Sequence, residues 1–306
     1  MRILKYSIYI NFSPIAFKKL KVSHLIANIK GFTKAIRIPH LFGIVVVQFL
    51  TASYLIKAPN EVVLSWEFIL LTASITMLGA AGYLINDYYD QKIDLINRPD
   101  QVVVGIHLHR RRAMAAHMGL SILAIMIGLW IDRWLCIFNF FASFMLWLHS
   151  NYFRRVLLLG NIMVALMHVM IILVVAMYFQ AYNTYLLVYS LFAFVTIFIR
   201  EVVKDLRCVK GDAVHGLETI SVIWGIRTAK KLIYLFIFCG IIFMIYFLEA
   251  VLPTNTGIYF LALLPFLGWF IYRIQLADTQ SHYRTLKKSI DWIILSGILS
   301  IFLLYE

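Results

Sequence analysis

The chain has 306 residues, of which 62% are hydrophobic and 14% charged, against roughly 25% charged in soluble domains. A mean hydropathy of +0.84 excludes a soluble globular protein and reads as an integral membrane protein. The net charge of +13 has no soluble basic domain to carry it. Nucleic-acid binding is therefore excluded, and positive-inside bias remains, with attraction to anionic headgroups or an anionic substrate.

Residues 1–36 alternate basic and apolar stretches (MRILKYSIYINF, then AFKKLKVSHLI). Each apolar run is too short for a signal peptide and lacks a small-residue cleavage site, so an amphipathic arm lying on the membrane surface is expected. No linker or low-complexity tract breaks residues 37–306, which read as one membrane domain. Runs near the ~20 residues needed to cross ~30 Å of hydrocarbon fall at 41–57, 66–86, 114–131, 134–150, 157–180, 183–200, 229–250, 256–275 and 289–305. The expectation is an all-α polytopic protein of nine transmembrane helices.

Basic residues alternate from loop to loop. The arm carries Lys18, Lys19, Lys21, Lys30, Lys34 and Arg37. The connections after the second, fourth, sixth and eighth runs carry Arg98 with Arg110–Arg112, Arg154 and Arg155, Arg200–Lys231, and Arg273–Lys288, whereas the opposite connections hold little basic charge. The basic side is expected to face the cytoplasm of a cell or inner membrane.

Two acidic clusters close apolar runs on that side: Asn86–Asp94 (NDYYDQKID) after the second, and Lys204–Asp212 (KDLRCVKGD) after the sixth. At about 100° per residue, Asn86, Asp87, Asp90 and Asp94 share one helix stripe. Asp205 and Asp212 share another, with Glu201 one turn earlier, provided that the helix continues through Gly211. Crowded carboxylates repel unless a cation shares them, and hard oxygen ligands suit Mg²⁺, which completes its octahedron with waters and substrate phosphate oxygens. A diphosphate is the expected substrate group. Lys92, Arg98, Arg154, Arg155, Arg200, Lys204, Arg207 and Lys210 lie beside the acids, where some would clamp phosphate oxygens. The matched positions of the two clusters, four helices apart, suggest a duplicated four-helix unit. Cys136, Cys208 and Cys239 have no CxxC spacing, and His40, His149, His168 and His215 no metal-ligand spacing, so disulfides and zinc are not expected.

The run N86-D87-Y-Y-D90-Q-K-I-D94, followed by L-I-N97-R98-P99-D100, resembles the first signature of the UbiA superfamily of intramembrane prenyltransferases. K204-D205-L-R-C208-V-K-G211-D212-A-V-H-G216-L-E-T219 is similar to its second signature. A weaker match joins N151-Y152-F-R154-R155 and G160-N161 to the family's loop after helix four, and Arg37-Ile-Pro39 to its lead into helix one. Within the superfamily the chain looks most like the digeranylgeranylglyceryl phosphate synthase branch. One departure is Cys208, where many members carry a further Asp, which leaves the number of bound Mg²⁺ open.

The resemblance implies a central active-site cavity open to the cytoplasmic side. It also implies Mg²⁺-assisted ionisation of a polyprenyl diphosphate, geranylgeranyl for this branch, and capture by a lipophilic acceptor drawn from membrane lipids, with no required protein partner. Asp87, Asp90 and Asp94 would hold one metal ion, and Asp205 and Asp212 the other. Asn86, Arg98, Tyr152, Arg155, Asn161 and Lys204 would bind or orient the diphosphate. The first-choice acceptor is geranylgeranylglyceryl phosphate, whose own anion calls for a second basic patch, with the Arg98 and Arg110–Arg112 loop as candidate. Two readings stand beside it: prenylation of a hydroxybenzoate, naphthoate or porphyrin-type ring, and an ion-coupled secondary transporter.

Overall fold

The computed structural model describes residues 30–250 and 254–304, so the expected N-terminal arm lies outside the described residues except for residues 30–36. Every apolar run of the sequence becomes a long helix. These are α1 (Ile38–Leu50, continued by a π-helical turn Thr51–Leu55), α2 (Trp66–Asn97), α3 (Arg110–Ile131), α4 (Arg133–Asn151), α5 (Leu159–Phe179), α6 (Thr184–Val214), α7 (Gly225–Ala250), α8 (Thr254–Gln275) and α9 (Gln280–Ser300). No β-strand occurs among the described residues. Seven of the nine helices, all but α4 and α9, are long and apolar enough to cross a membrane. In α4 the apolar run is interrupted by Asn139 and ends on His149 and Ser150; in α9 the first turns carry Arg284, Lys287, Lys288 and Asp291.

The two acidic segments are helical, not loops. α2 has 32 residues and α6 has 31, lengths of about 48 and 46 Å at ~1.5 Å per residue, well beyond the ~30 Å of hydrocarbon. The length beyond that thickness is enough to carry the acidic C-terminal segments of both helices past the apolar stretches, at the same end of the bundle. Ser65 caps α2 by accepting from Phe68 N at 3.3 Å. Asn183 caps α6 by accepting from Leu186 N at 2.9 Å, while its amide donates to Leu55 O at the end of the π turn, at 2.6 Å. Each long helix thereby has a fixed start on the side opposite the acids.

The two largest of four apolar clusters share α5. One joins Ala52, Phe68, Leu71, Leu78 and Leu135 of the first half to Val174 and Val175. The other joins Ala165 to Phe198, Val202, Ile233, Phe270 and Tyr283 of the second half. Where apolar attraction between helices is weak because lipid is equally apolar, buried polar contacts add specificity. Asn139 donates to Ala124 O at 2.8 Å and Ser74 Oγ at 3.3 Å, and the Tyr189 and Ser300 hydroxyls are 3.0 Å apart. A central cavity of about 670 Å³ opens between the halves, walled by α1, α2, α4, α5, α6 and α9. Residues Phe32 and Ile36 pack with buried Ala35 against Leu84, Val104 and Leu108, which brings Lys34 and Arg37 to the cavity's edge.

Candidate active site

The asparagine and all three carboxylates of the first cluster face the cavity. Asn86, Asp87, Asp90, Asp94 and Arg98 all line it, as three- and four-residue spacing on one helix requires. Asn86 donates to Asp90 Oδ2 at 2.7 Å. Each carboxylate also holds one guanidinium: Asp87 takes Arg37 at 2.6 Å, Asp90 pairs with Arg154, and Asp94 accepts two Arg98 bonds at 2.7 and 2.9 Å from one nitrogen. Arg37 reaches across from the start of α1, where its backbone is left-handed at φ 54°, a conformation that costs a non-glycine residue energy and that functional sites often retain.

The second cluster is built differently. α6 continues through Gly211 to Val214, so Glu201, Asp205 and Asp212 lie on a helix and all are buried. The acids of its motif are held by amides. Asn161 of α5 donates to Asp205 Oδ2 at 2.7 Å, and Asn97 of α2 donates to Asp212 Oδ1 at 3.2 Å. Asn97 Oδ1 in turn accepts from Gly211 N at 3.0 Å, so this one side chain clasps the acidic ends of α2 and α6. A Cβ at Gly211 would stand 2.5 Å from the Asn97 carboxamide, so only glycine admits the clasp. Glycine at this point therefore serves close approach and does not break the helix.

A third group of charges joins α6 to α9. Glu201 is paired with Lys204 and with Arg200 Nη1 at 2.7 Å. Arg200 Nε donates to Asp291 Oδ1 at 2.7 Å, and Lys287 Nζ donates to Asp291 Oδ2 at 2.9 Å. Lys204, Arg200, Lys287 and Asp291 line the cavity. Deeper in, its wall becomes aliphatic and aromatic, with Ile44, Ile75, Leu78, Phe138, Ala142 and Ile171.

Of the other residues picked from sequence, Lys204 faces the cavity, whereas Asp205 and Asp212, expected to hold the second metal ion, do not line it and stand behind its wall, where Asn161 holds Asp205 and Asn97 holds Asp212. Tyr152 and Arg155 are exposed and do not line the cavity; Arg154 does. The cause is local: Phe153–Arg155 is a 3₁₀ turn, which rotates successive residues by about 120°, so only one of the two adjacent arginines points inward. The Arg110–Arg112 patch is exposed on α3, with Arg110 stacked over Tyr88. Sequence reasoning missed the role of Asn97 and the whole contribution of α9. The signal was present in the spacing of Arg284, Lys287, Lys288 and Asp291, whose three- and four-residue steps mark one face of a helix.

The donor set is all oxygen, which fits Mg²⁺ better than a softer metal. Among the described residues no three His, Cys, Asp or Glu side chains are grouped tightly enough to hold a metal. At the first cluster guanidinium groups neutralise the carboxylates.

A charged chamber of acids and arginines thus lies over an apolar recess inside a bundle of helices, seven of them long and apolar enough to cross a membrane. Residues 45–296 match the UbiA prenyltransferase family, and the chain belongs to it. Digeranylgeranylglyceryl phosphate synthases are among its relatives: that of Thermococcus sibiricus is 29% identical over 180 residues, 58% of this chain and 61% of that protein. That of Methanobrevibacter smithii is 30% identical over 166 residues, 51% of this chain and 58% of that protein. The chain thus spans about three fifths of the length of these curated relatives. A UbiA homolog from Archaeoglobus fulgidus, solved with DMAPP and Mg²⁺, shares the fold with a TM-score of 0.68 at 15% identity, covering 89% of this chain and 98% of that one.

The clasp makes a prediction. Gly211→Ala forces Asn97 off both Gly211 N and Asp212, and overpacking of this kind costs about 1–3 kcal/mol. Thermal unfolding in detergent should show a lowered midpoint; an unchanged midpoint would contradict the clasp.

Proposed function

We propose that the protein catalyses Mg²⁺-dependent transfer of a polyprenyl group, geranylgeranyl, from its diphosphate to geranylgeranylglyceryl phosphate, a step in ether lipid synthesis. The observation that carries this reading is the single cavity with carboxylates and guanidinium groups at one end and a hydrocarbon-lined recess at the other. Its volume of about 670 Å³ lies within the roughly 300–1,000 Å³ range of ligand sites. The names of the synthase relatives and the diphosphate and Mg²⁺ held by the Archaeoglobus homolog support the same reading.

Asp87, Asp90 and Asp94 would hold one metal ion, and Asp205 and Asp212 a second. When bound, Mg²⁺ supplies Lewis acidity to the leaving diphosphate. Arg37, Arg98 and Arg154 exchange carboxylate for phosphate oxygens as the donor enters, because a guanidinium fork suits both anions. Lys204, placed by Glu201, neutralises charge that develops on the departing oxygens. The allylic C–O bond breaks with its electron pair on the diphosphate, and the acceptor hydroxyl gives its proton to the departing diphosphate as its oxygen bonds to the allylic carbon. Asn86 and Asn161 orient Asp90 and Asp205. The prenyl chain lies along Ile75, Leu78, Phe138 and Ala142.

In the same reading all nine long helices traverse the membrane. Residues 37–306 form the prenyltransferase domain, 1–36 its surface arm, and the acidic end faces the cytoplasm, in keeping with the basic residues gathered there.

The deciding assay offers labelled geranylgeranyl diphosphate and Mg²⁺ to the purified protein in lipid, with geranylgeranylglyceryl phosphate and 4-hydroxybenzoate as competing acceptors. Label is expected in the ether lipid and none after EDTA; label in the aromatic ring alone would reject the acceptor assignment. Asp90→Asn or Asp205→Asn should lower turnover roughly a hundredfold or more, since loss of one metal ligand removes about 3 kcal/mol of leaving-group stabilisation. Near-normal turnover would sink the metal assignment. Ala142→Phe narrows the recess and should shift donor preference from geranylgeranyl toward shorter allylic diphosphates, read from the ratio of kcat/KM values.

A further inference from the structure

Ten cationic side chains and five carboxylates line the cavity, an excess of five positive charges. Six of the ten are committed to carboxylates: Arg37, Arg98, Arg154, Arg200, Lys204 and Lys287. Lys34, Arg207, Arg284 and Lys288 are left. Bound Mg²⁺ would add to the excess, and a single diphosphate does not cancel the sum.

Arg207 is the telling member. It is buried on α6, at 7% exposure, and among the described residues it makes no ion pair or hydrogen bond. The charges of Arg284 and Arg98 act on it unfavourably, and Asp94, a carboxylate that acts in its favour, is already held by Arg98. A buried guanidinium without a partner is expensive to keep, and this one faces the cavity. Arg284 and Lys288, four residues apart on α9, present two further uncommitted cations to the same space, both open to solvent.

We propose that Arg207, Arg284 and Lys288 form a second anion site, beside the carboxylates, that binds the phosphate monoester of the acceptor. The site makes the enzyme select a phosphorylated lipid alcohol over a neutral or aromatic one, and it fills the role that the exposed Arg110–Arg112 turn of α3 leaves unfilled. A phosphate dianion meets one buried fork and two mobile cations, so the headgroup is fixed while its hydroxyl points toward the diphosphate end. The inference rests on the prenyl-transfer reading above.

The test measures KM separately for each substrate with Arg207→Gln and with the double variant R284A/K288A, each checked by thermal unfolding. Both should raise KM for geranylgeranylglyceryl phosphate by about tenfold or more, as expected for lost charge-assisted bonds, while KM for geranylgeranyl diphosphate moves less than about twofold. Unphosphorylated geranylgeranylglycerol should be a poor acceptor for the wild type and no poorer for the variants. If Arg207→Gln fails to fold, the double variant carries the test, because its two side chains lie on an exposed face. Wild-type transfer with an unchanged acceptor KM in the variants would overturn the anion site alone, as would an equal rise in both KM values. Absence of any wild-type transfer to the phosphorylated acceptor would overturn both the site and the function on which it rests.

Discussion

Buried carboxylates need counter-charge, and the acidic end of this bundle is arranged around that need. An ionised acid taken out of water is costly unless it is paired or hydrogen-bonded, and here Asp90, Asp94, Glu201, Asp205 and Asp212 are all buried. The structure meets the requirement in two ways. Guanidinium groups from α1, the α4–α5 turn and the end of α2 compensate the first motif, while carboxamides from α2 and α5 hold the second. Because the arginines come from separate helices, satisfying the acids also fixes the relative positions of α1, α2 and the turn before α5.

The same constraint explains why the site has reserve cations. In the proposed reaction, arginines that neutralise carboxylates at rest would turn to phosphate when a divalent ion took their place, so no new charge would have to be brought in. The α6–α9 network of Glu201, Arg200, Asp291 and Lys287 lies alongside them, holding Lys204 at the wall and tying the last helix to the cavity. Charge therefore organises both the chemistry and the closure of the bundle around it.

Backbone detail matters at two points. Glycine at 211 lets Asn97 reach the α6 backbone, bringing the two acidic helices into contact through a single side chain. At Arg37 the left-handed residue preceding α1 sends its side chain toward Asp87, so the lead into the first helix becomes part of the site.

Much of this was legible in the sequence. Hydropathy located all nine long helices, because each apolar run is close to the length that hydrocarbon demands, and three-, four- and seven-residue spacing put Asn86, Asp87, Asp90 and Asp94 on one stripe. The helical continuation of α2 to Asn97 and of α6 to Val214 was less visible, since charged residues at the end of an apolar run look the same in a loop and in a projecting helix. What only the tertiary structure decided were the pairings across distant segments: Arg154 and not Arg155 at Asp90, Arg37 at Asp87, Asn97 at Asp212, and the charged face of α9 in the cavity. Local periodicity fixes which residues share a face of one helix, but which face meets which neighbour depends on how whole helices pack, a property that no short stretch of sequence carries.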